Sequence, residues 1–224
     1  MTCSTTPANL HSAMANPPRF DNIDAVVFDV YGTLVEITDK RAPFRRLLRI
    51  GEQQGRAVGV ADAVTLMSAP LNLHDAAAQL SIVLEPGQLA QLEADLHSEI
   101  ASIRLFPDTA ATLQALRVRG IKLGLCSNLA VDYAAPIVQL LPLQLDAYTW
   151  SFDAGAIKPD PAIYRQACAA LGCAPERVLM VGDTPAADVD GPRAAGMQSI
   201  LLDRRQRHAG TDTLPSLAAL LDRL

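Results

Sequence analysis

Five short apolar segments, at 23–28, 121–126, 148–152, 178–181 and 199–202, are separated by stretches with helical spacing. This alternation narrows the possible folds more than any other feature of the chain. Segment 23–28 is rich in Val and reads as a strand buried on both faces. Between the later segments, 108–117, 131–140, 161–171 and 185–195 read as helices. Asp160 ahead of Pro161 places a cap before a proline at the first helical position. Gly120, Gly172 and Gly196 stand where a helix end calls for a left-handed residue. Strands alternating with helices predict an α/β fold with a Rossmann-like, doubly wound parallel sheet.

The stretch from 41 to 103 breaks this rhythm. Phe44, Leu47 and Leu48, then Leu89, Leu92, Leu96 and Ile100, recur at spacings of three and four, with no convincing strand between them. It is expected to be a helical cap inserted at 36–104 into a core made of 21–35 and 105–224. Residues 1–20, rich in Ser, Thr, Ala, Asn and Pro, are expected to form a disordered leader. A chain of 224 residues suits one core plus such an insertion. Half of it is hydrophobic but only 4% is aromatic, so the core is expected to be built mainly from Ala, Leu, Val and Ile.

Charge and residue usage exclude several classes. A net charge of -5 offers no basic surface for nucleic acid or anionic lipid. Apolar runs such as 178–181 are too short to span a bilayer, and the first residues lack a signal peptide's basic cluster and apolar stretch. The chain is therefore expected to be cytoplasmic, without a nucleic-acid or membrane partner. Cys3, Cys126, Cys168 and Cys173 fit no zinc spacing and are expected to be free thiols. His11, His74, His97 and His208 are scattered, and none supports a Ser-His-Asp triad. Oligomeric state is left open.

Chemistry gathers just after the strands. Asp29 follows the first, Ser127 and Asn128 follow the second, and Gly182-Asp183-Thr184 follows 178–181, with Asp188 five residues beyond Asp183. Lys158 lies in the loop before the Pro161 helix. In a parallel sheet these positions collect at the carboxyl edge, where such folds bind ligands. Asp29 and Asp183 would repel each other without a positive charge between them, and Mg²⁺ is a hard cation suited to oxygen ligands. Lys158 adds a fixed positive charge, and Ser127 and Asn128 add neutral donors. Such an array suits a phosphoryl group, and a carboxylate can be the nucleophile. More ordinary roles stay open: Ser127-Asn128 as a helix cap, Asp183 and Asp188 as first-turn acids, Asp190 as a surface residue.

These segments resemble the haloacid dehalogenase (HAD) superfamily. Phe28-Asp29-Val30-Tyr31-Gly32-Thr33-Leu34 is similar to its first motif and Leu125-Cys126-Ser127-Asn128 to its second. Lys158-Pro159-Asp160-Pro161 is similar to the third, and Gly182-Asp183-Thr184 through Asp188, with Gly191 and Ala194-Ala195-Gly196, to the fourth. The resemblance implies that Asp29 attacks the substrate, Ser127 holds an oxygen of the transferring group, and Lys158 braces nucleophile and intermediate. It implies Mg²⁺ held by Asp29, Asp183 and the backbone carbonyl of Tyr31, with Asp188 in support. Thr33 would orient Asp29 by a hydrogen bond, and the insertion would be a mobile cap.

The first and fourth motifs point different ways. Most phosphatases of the superfamily carry a second Asp two residues after the nucleophile, where this chain has Tyr31. That form resembles the metal-free 2-haloacid dehalogenases, in which halide leaves without a proton. Those enzymes typically carry Ser and Asn in the fourth motif, where this chain has Asp183. The fourth motif weighs more, because a metal site needs its carboxylate. The reading is a Mg²⁺-dependent phosphatase acting on a small phosphorylated metabolite through an aspartyl-phosphate. The alternatives are a 2-haloacid dehalogenase acting on a halogenated acid through an aspartyl ester, and a catalytically weak binding or regulatory relative. Arg41, Arg45, Arg46 and Arg49 form either a solvated helix face or an anion clamp.

Overall fold

The computed structural model describes residues 19–208 and 212–224. Most of the expected leader, with Cys3 and His11, lies outside them. Its last two residues are not loose. Phe20 N donates to Arg223 O (2.8 Å) and Arg19 Nη2 to Leu224 O (2.7 Å), which ties them to the C-terminal turn.

In chain order the elements are β1 (Ala25–Phe28), β2 (Val35–Ile37), α1 (Pro43–Gln53), α2 (Val60–Ser68), α3 (Leu73–Gln79), α4 (Pro86–Ala101) and β3 (Ile103–Leu105). Then come α5 (Thr109–Val118), β4 (Lys122–Ser127), α6 (Ala134–Leu140), β5 (Ala147–Trp150), α7 (Ser151–Ala154) and α8 (Pro161–Leu171). The chain closes with β6 (Val178–Gly182), α9 (Gly191–Ala194), β7 (Gln198–Leu202) and β8 (Thr213–Leu214). Six strands make one sheet in the order β5-β4-β1-β6-β7-β8, every pairing parallel. The expected Rossmann-like α/β architecture is what the chain adopts.

Side-chain period builds the two faces. Val26 and Phe28 of β1 join Leu123, Leu125, Leu179 and Val181 on the side covered by Leu113 and Leu116 of α5. Ala25 and Val27 join Val178 and Met180 on the other side, against Ile163, Tyr164, Ala167 and Leu171 of α8. Successive strand residues point to opposite faces, so a strand buried on both must be apolar throughout. Asp160 accepts from Ala162 N (2.8 Å), the cap expected ahead of Pro161. Gly120, Gly172 and Gly196 all have left-handed φ, at 75°, 62° and 87°. Cys126, Cys168 and Cys173 are free thiols.

Several expectations are corrected. Residues 41–102 hold no strand, as expected, but two unexpected short strands border them. β2 and β3 pair antiparallel, Val35 with Leu105 and Ile37 with Ile103, and this ribbon carries α1 to α4. Three residues per strand are too few for an alternating pattern to stand out. Segment 148–152 stops being a strand at Trp150. Ser151 turns its hydroxyl to Leu129 N (3.1 Å), and Phe152 is buried from a helix rather than a strand. Such side-chain bonding to the backbone competes with the sheet ladder. Segment 185–195 is a π-helical turn, Pro185–Asp190, followed by the short α9. Segment 131–140 likewise opens with a 3₁₀ turn before α6.

Asp108 stands at the N-cap of α5 but does not cap it. Its carboxylate takes two hydrogen bonds from Arg204 (2.9 Å each) and one from Leu217 N (2.8 Å). Arg204 also donates to Thr33 O (2.9 Å) and stacks over Phe106. The pair joins α5, the segment after β7 and the C-terminal turn. Burial works against the Asp108 charge, but Arg204 and the Leu217 amide outweigh it and lower its pKa. A lowered carboxylate pKa gives stability that is complete above the unfolded value of about 4 and is lost as pH falls through the native one. Asp108→Asn should therefore cost about 1–2 kcal/mol at neutral pH. In urea unfolding, the gap between the two proteins should begin to close below about pH 4. A gap that persists unchanged at acid pH would show that the ionised pair is not its source.

Candidate active site

Strand register decides what meets at the carboxyl edge. Phe28 lies beside both Leu125 and Val181, so Asp29 comes one residue past that line and Ser127 and Asp183 two. Asp29 N donates to Val181 O (2.9 Å), which continues the ladder into the site. Ser127 Oγ donates to Asp29 Oδ1 (3.0 Å). Lys158 Nζ donates to the same oxygen (2.8 Å) and to Asp188 Oδ1 (2.6 Å). Carboxylate oxygens of Asp29, Asp183 and Asp188 all lie within 4.8 Å of one another. Five of the expected residues thus form one cluster.

Two glycines make the approach possible. A Cβ at Gly32 would collide with the Asp183 carboxylate, and one at Gly182 with Asp188. Gly32 also has a φ of 85°, the left-handed region that favours glycine. Asp188 sits on the π-helical turn, where its Oδ2 accepts from Thr184 N (2.9 Å). Tyr164 OH donates to Ala187 O (2.6 Å) and holds that turn from α8.

Asn128 does something other than face a substrate. Its Nδ2 donates to Lys158 O (2.9 Å) and its Oδ1 accepts from Lys158 N (2.7 Å). The amide grips the lysine's backbone from both sides. Thr33 is corrected: its hydroxyl is buried without a hydrogen-bond partner, so the expected bond to Asp29 is absent. Its backbone carbonyl is used instead, by Arg204. Asp190 is exposed and outside the cluster. Tyr31 packs edge-on against Tyr133, with centroids 5.9 Å apart, and its buried hydroxyl has no partner.

The electrostatics follow from burial. The Lys158 side chain is only 3% exposed. Burial alone would discharge it, but the Asp29 and Asp188 carboxylates hold its pKa above the ordinary lysine value. Burial pushes Asp188 up to about 6, with Asp29 acting in the same direction and Lys158 against it. Asp183 is raised by burial and by Asp29. Tyr31 is raised by burial, then by Glu99 and Asp29, so it is no base at neutral pH. Three carboxylates facing one ammonium leave an excess of negative charge. Hard oxygen donors with that excess fit a divalent cation such as Mg²⁺.

Two openings flank Tyr31. One is a cavity of about 400 Å³ between the core and the helices of the insertion, lined by Phe44, Leu66 and Tyr133 among others. The other is a cleft of about 560 Å³ that reaches Asp183 and is edged by Arg205 and Arg207. The Arg41–Arg49 group divides. Arg41 and Arg46 pair with Asp95, Arg45 lines the cavity, and Arg49 lies on an outer groove. Sequence reasoning missed Glu99. It is buried in α4, where its Oε2 accepts from Arg41 N (2.7 Å) and from Ala42 N, and its Oε1 from Tyr133 OH (3.2 Å). It closes the N-terminus of α1 from 57 residues away, beyond the reach of any local capping pattern.

Comparison with known proteins agrees with this architecture. A phosphatase of Mycobacterium tuberculosis, Phosphatase MT3486, is 33% identical over 214 residues, covering 90% of this chain and 98% of its own. A phosphoglycolate phosphatase of Rhodospirillum rubrum is 30% identical, covering 88% of this chain and 87% of its own. A phosphoserine phosphatase of Thermus thermophilus is 33% identical, over 59% of this chain and only 54% of its own length. Among solved structures, a dehalogenase with an intermediate complex has a TM-score of 0.65 at 24% identity, over 91% of this chain and 98% of its own. A HAD phosphatase from Thermococcus onnurineus has 0.62 at 21%, over 90% and 100%. No helix among the described residues is long and apolar enough to cross a membrane. The family model for haloacid dehalogenase-like hydrolases matches residues 23–196, and the chain belongs to that family of enzymes.

Proposed function

We propose that the chain is a Mg²⁺-dependent phosphohydrolase that acts on a small phosphorylated metabolite through an aspartyl-phosphate. The observation that carries this is the meeting of Asp29, Asp183 and Asp188 within 4.8 Å, with Lys158 buried against two of them. Asp183 adds negative charge that a metal-free enzyme attacking an anion would have to overcome. The full-length relatives named as phosphatases support the same reading.

In this reading Asp29 and Asp183, with the Tyr31 carbonyl, would hold Mg²⁺, and Asp188 would support them. The ion would neutralise charge on the phosphoryl oxygens. Asp29 attacks phosphorus with one carboxylate oxygen, and the bond to the leaving oxygen breaks, which takes the electron pair. Ser127 and Lys158 hold a phosphoryl oxygen and the nucleophile in line. Asn128 keeps Lys158 in place. Water then attacks phosphorus, the bond to Asp29 breaks, the pair returns to the carboxylate, and the water's proton passes to phosphate and solvent. The helices on the β2–β3 ribbon act as the cap over this site. Thr33 serves through its backbone contact with Arg204 rather than through its hydroxyl.

One observation favours a second reading, the metal-free 2-haloacid dehalogenase. Tyr31 occupies the place of the acid that would protonate a leaving group, and halide needs no proton. Asp29 would then form a carbon ester.

Four tests probe these readings. Phosphate release from acetyl phosphate should require Mg²⁺ and stop with EDTA, and Asp29→Asn should lower it at least about a thousandfold. Asp183→Asn should weaken Mg²⁺ binding, read by calorimetry, at least about tenfold. Chloride release from 2-chloropropionate that survives EDTA would overturn the phosphohydrolase in favour of the dehalogenase. Tyr31→Asp should raise turnover of alkyl phosphates, by up to about a hundredfold if the acid becomes well placed. Unchanged or lower turnover would mean that the missing acid does not limit the enzyme.

A further inference from the structure

The cavity beside Tyr31 differs in character from the carboxylate cluster it adjoins. Its wall is mostly apolar, with Phe44, Leu48, Leu66, Met67 and Leu129 among the lining side chains. Two cations, Lys40 and Arg45, also line it, and among the described residues neither is engaged in an ion pair. Its volume of about 400 Å³ falls in the range of small-molecule sites, about 300–1,000 Å³. An ester as small and polar as an alkyl phosphate would leave that apolar wall in contact with water.

Among the described residues, the same cavity offers no free carboxylic acid. Among the described residues Glu99 is the one carboxylate that lines it. Both its oxygens are engaged by the Arg41 and Ala42 amides and the Tyr133 hydroxyl, so it is committed to closing α1. Tyr31 and Tyr133 stand beside it, their rings packed edge-on with centroids 5.9 Å apart. A leaving group seated here finds no free carboxylic acid to protonate it as it departs. A phenol, with a pKa of about 10, holds the electron pair far more readily than an alcohol near that of water, about 16.

We infer that this cavity receives the leaving group of an aryl phosphate whose ring carries a carboxylate, the ring against the apolar wall and the carboxylate at Lys40 and Arg45. The inference rests on the phosphohydrolase reading. Asp29 forms its bond to phosphorus, the bond from phosphorus to the ring oxygen breaks, and the pair stays on that oxygen. The product leaves as a phenolate and takes its proton from solvent.

The test measures phosphate release by the full chain with Mg²⁺, using Asp29→Asn as the blank. The substrates are 4-carboxyphenyl phosphate, phenyl phosphate, phosphoglycolate and acetyl phosphate. The carboxylated aryl ester should exceed phenyl phosphate in kcat/KM by about tenfold and phosphoglycolate by about a hundredfold. Arg45→Ala should bring the ratio of the two aryl esters toward one. Ala63→Leu, which fills the cavity from α2 without depending on the leaving group's pKa, should raise KM for phenyl phosphate about tenfold more than for acetyl phosphate. Phosphoglycolate turned over as well as the aryl esters, or ratios untouched by both variants, would overturn the inference while leaving the phosphohydrolase standing. No Asp29-dependent phosphate from any of the four, acetyl phosphate included, would sink both.

Discussion

An ammonium group with almost no solvent of its own sits at the carboxyl edge of the sheet. Lys158 can remain charged there only because Asp29 and Asp188 each give it an oxygen, at 2.8 and 2.6 Å. A buried charge stripped of its partners is among the costliest things a fold can contain. The three residues come from the end of β1, the loop before α8 and the turn after β6. The ion pair therefore holds together three segments that the sheet brings near but does not itself join. The remaining carboxylate, Asp183, is what the ammonium cannot balance.

That dependence explains the local irregularities. A regular helix after β6 would be the default for this α/β arrangement, yet the segment opens with a π-helical turn that places Asp188 against both Lys158 and Thr184 N. Gly182 has no side chain where the Asp188 carboxylate lies, and Gly32 none where Asp183 lies. π-turns of this kind often mark functional sites. Each departure from regular structure here serves a charged group.

Much of this was legible in the sequence, for a physical reason. Parallel strands buried on both faces are written as unbroken apolar runs, and their carboxyl ends share one edge. Asp29, Ser127, Lys158 and Asp188 could thus be placed together by chain order and topology alone. What could not be read depends on side chains that choose between several partners within reach. Thr33 was expected to bond Asp29, yet its buried hydroxyl takes no partner. Asp108 stands at the N-cap of α5 but is taken by Arg204. Glu99 caps a helix far from its own in sequence, and the three-residue strands of the ribbon carry too little pattern to be seen.

The double grip of Asn128 on the Lys158 backbone has its own consequence. On the proposed path, Asp29 gives up its charge each time it is esterified and regains it on hydrolysis. A lysine positioned by that charge alone would be released and recaptured in every cycle. Because a neutral amide fixes its main chain, and Asp188 keeps a second hold on its side chain, the lysine's address is independent of the carboxylate it serves. Asn128 acts as a mechanical reference point, letting the charge state of the site change while its geometry stays the same.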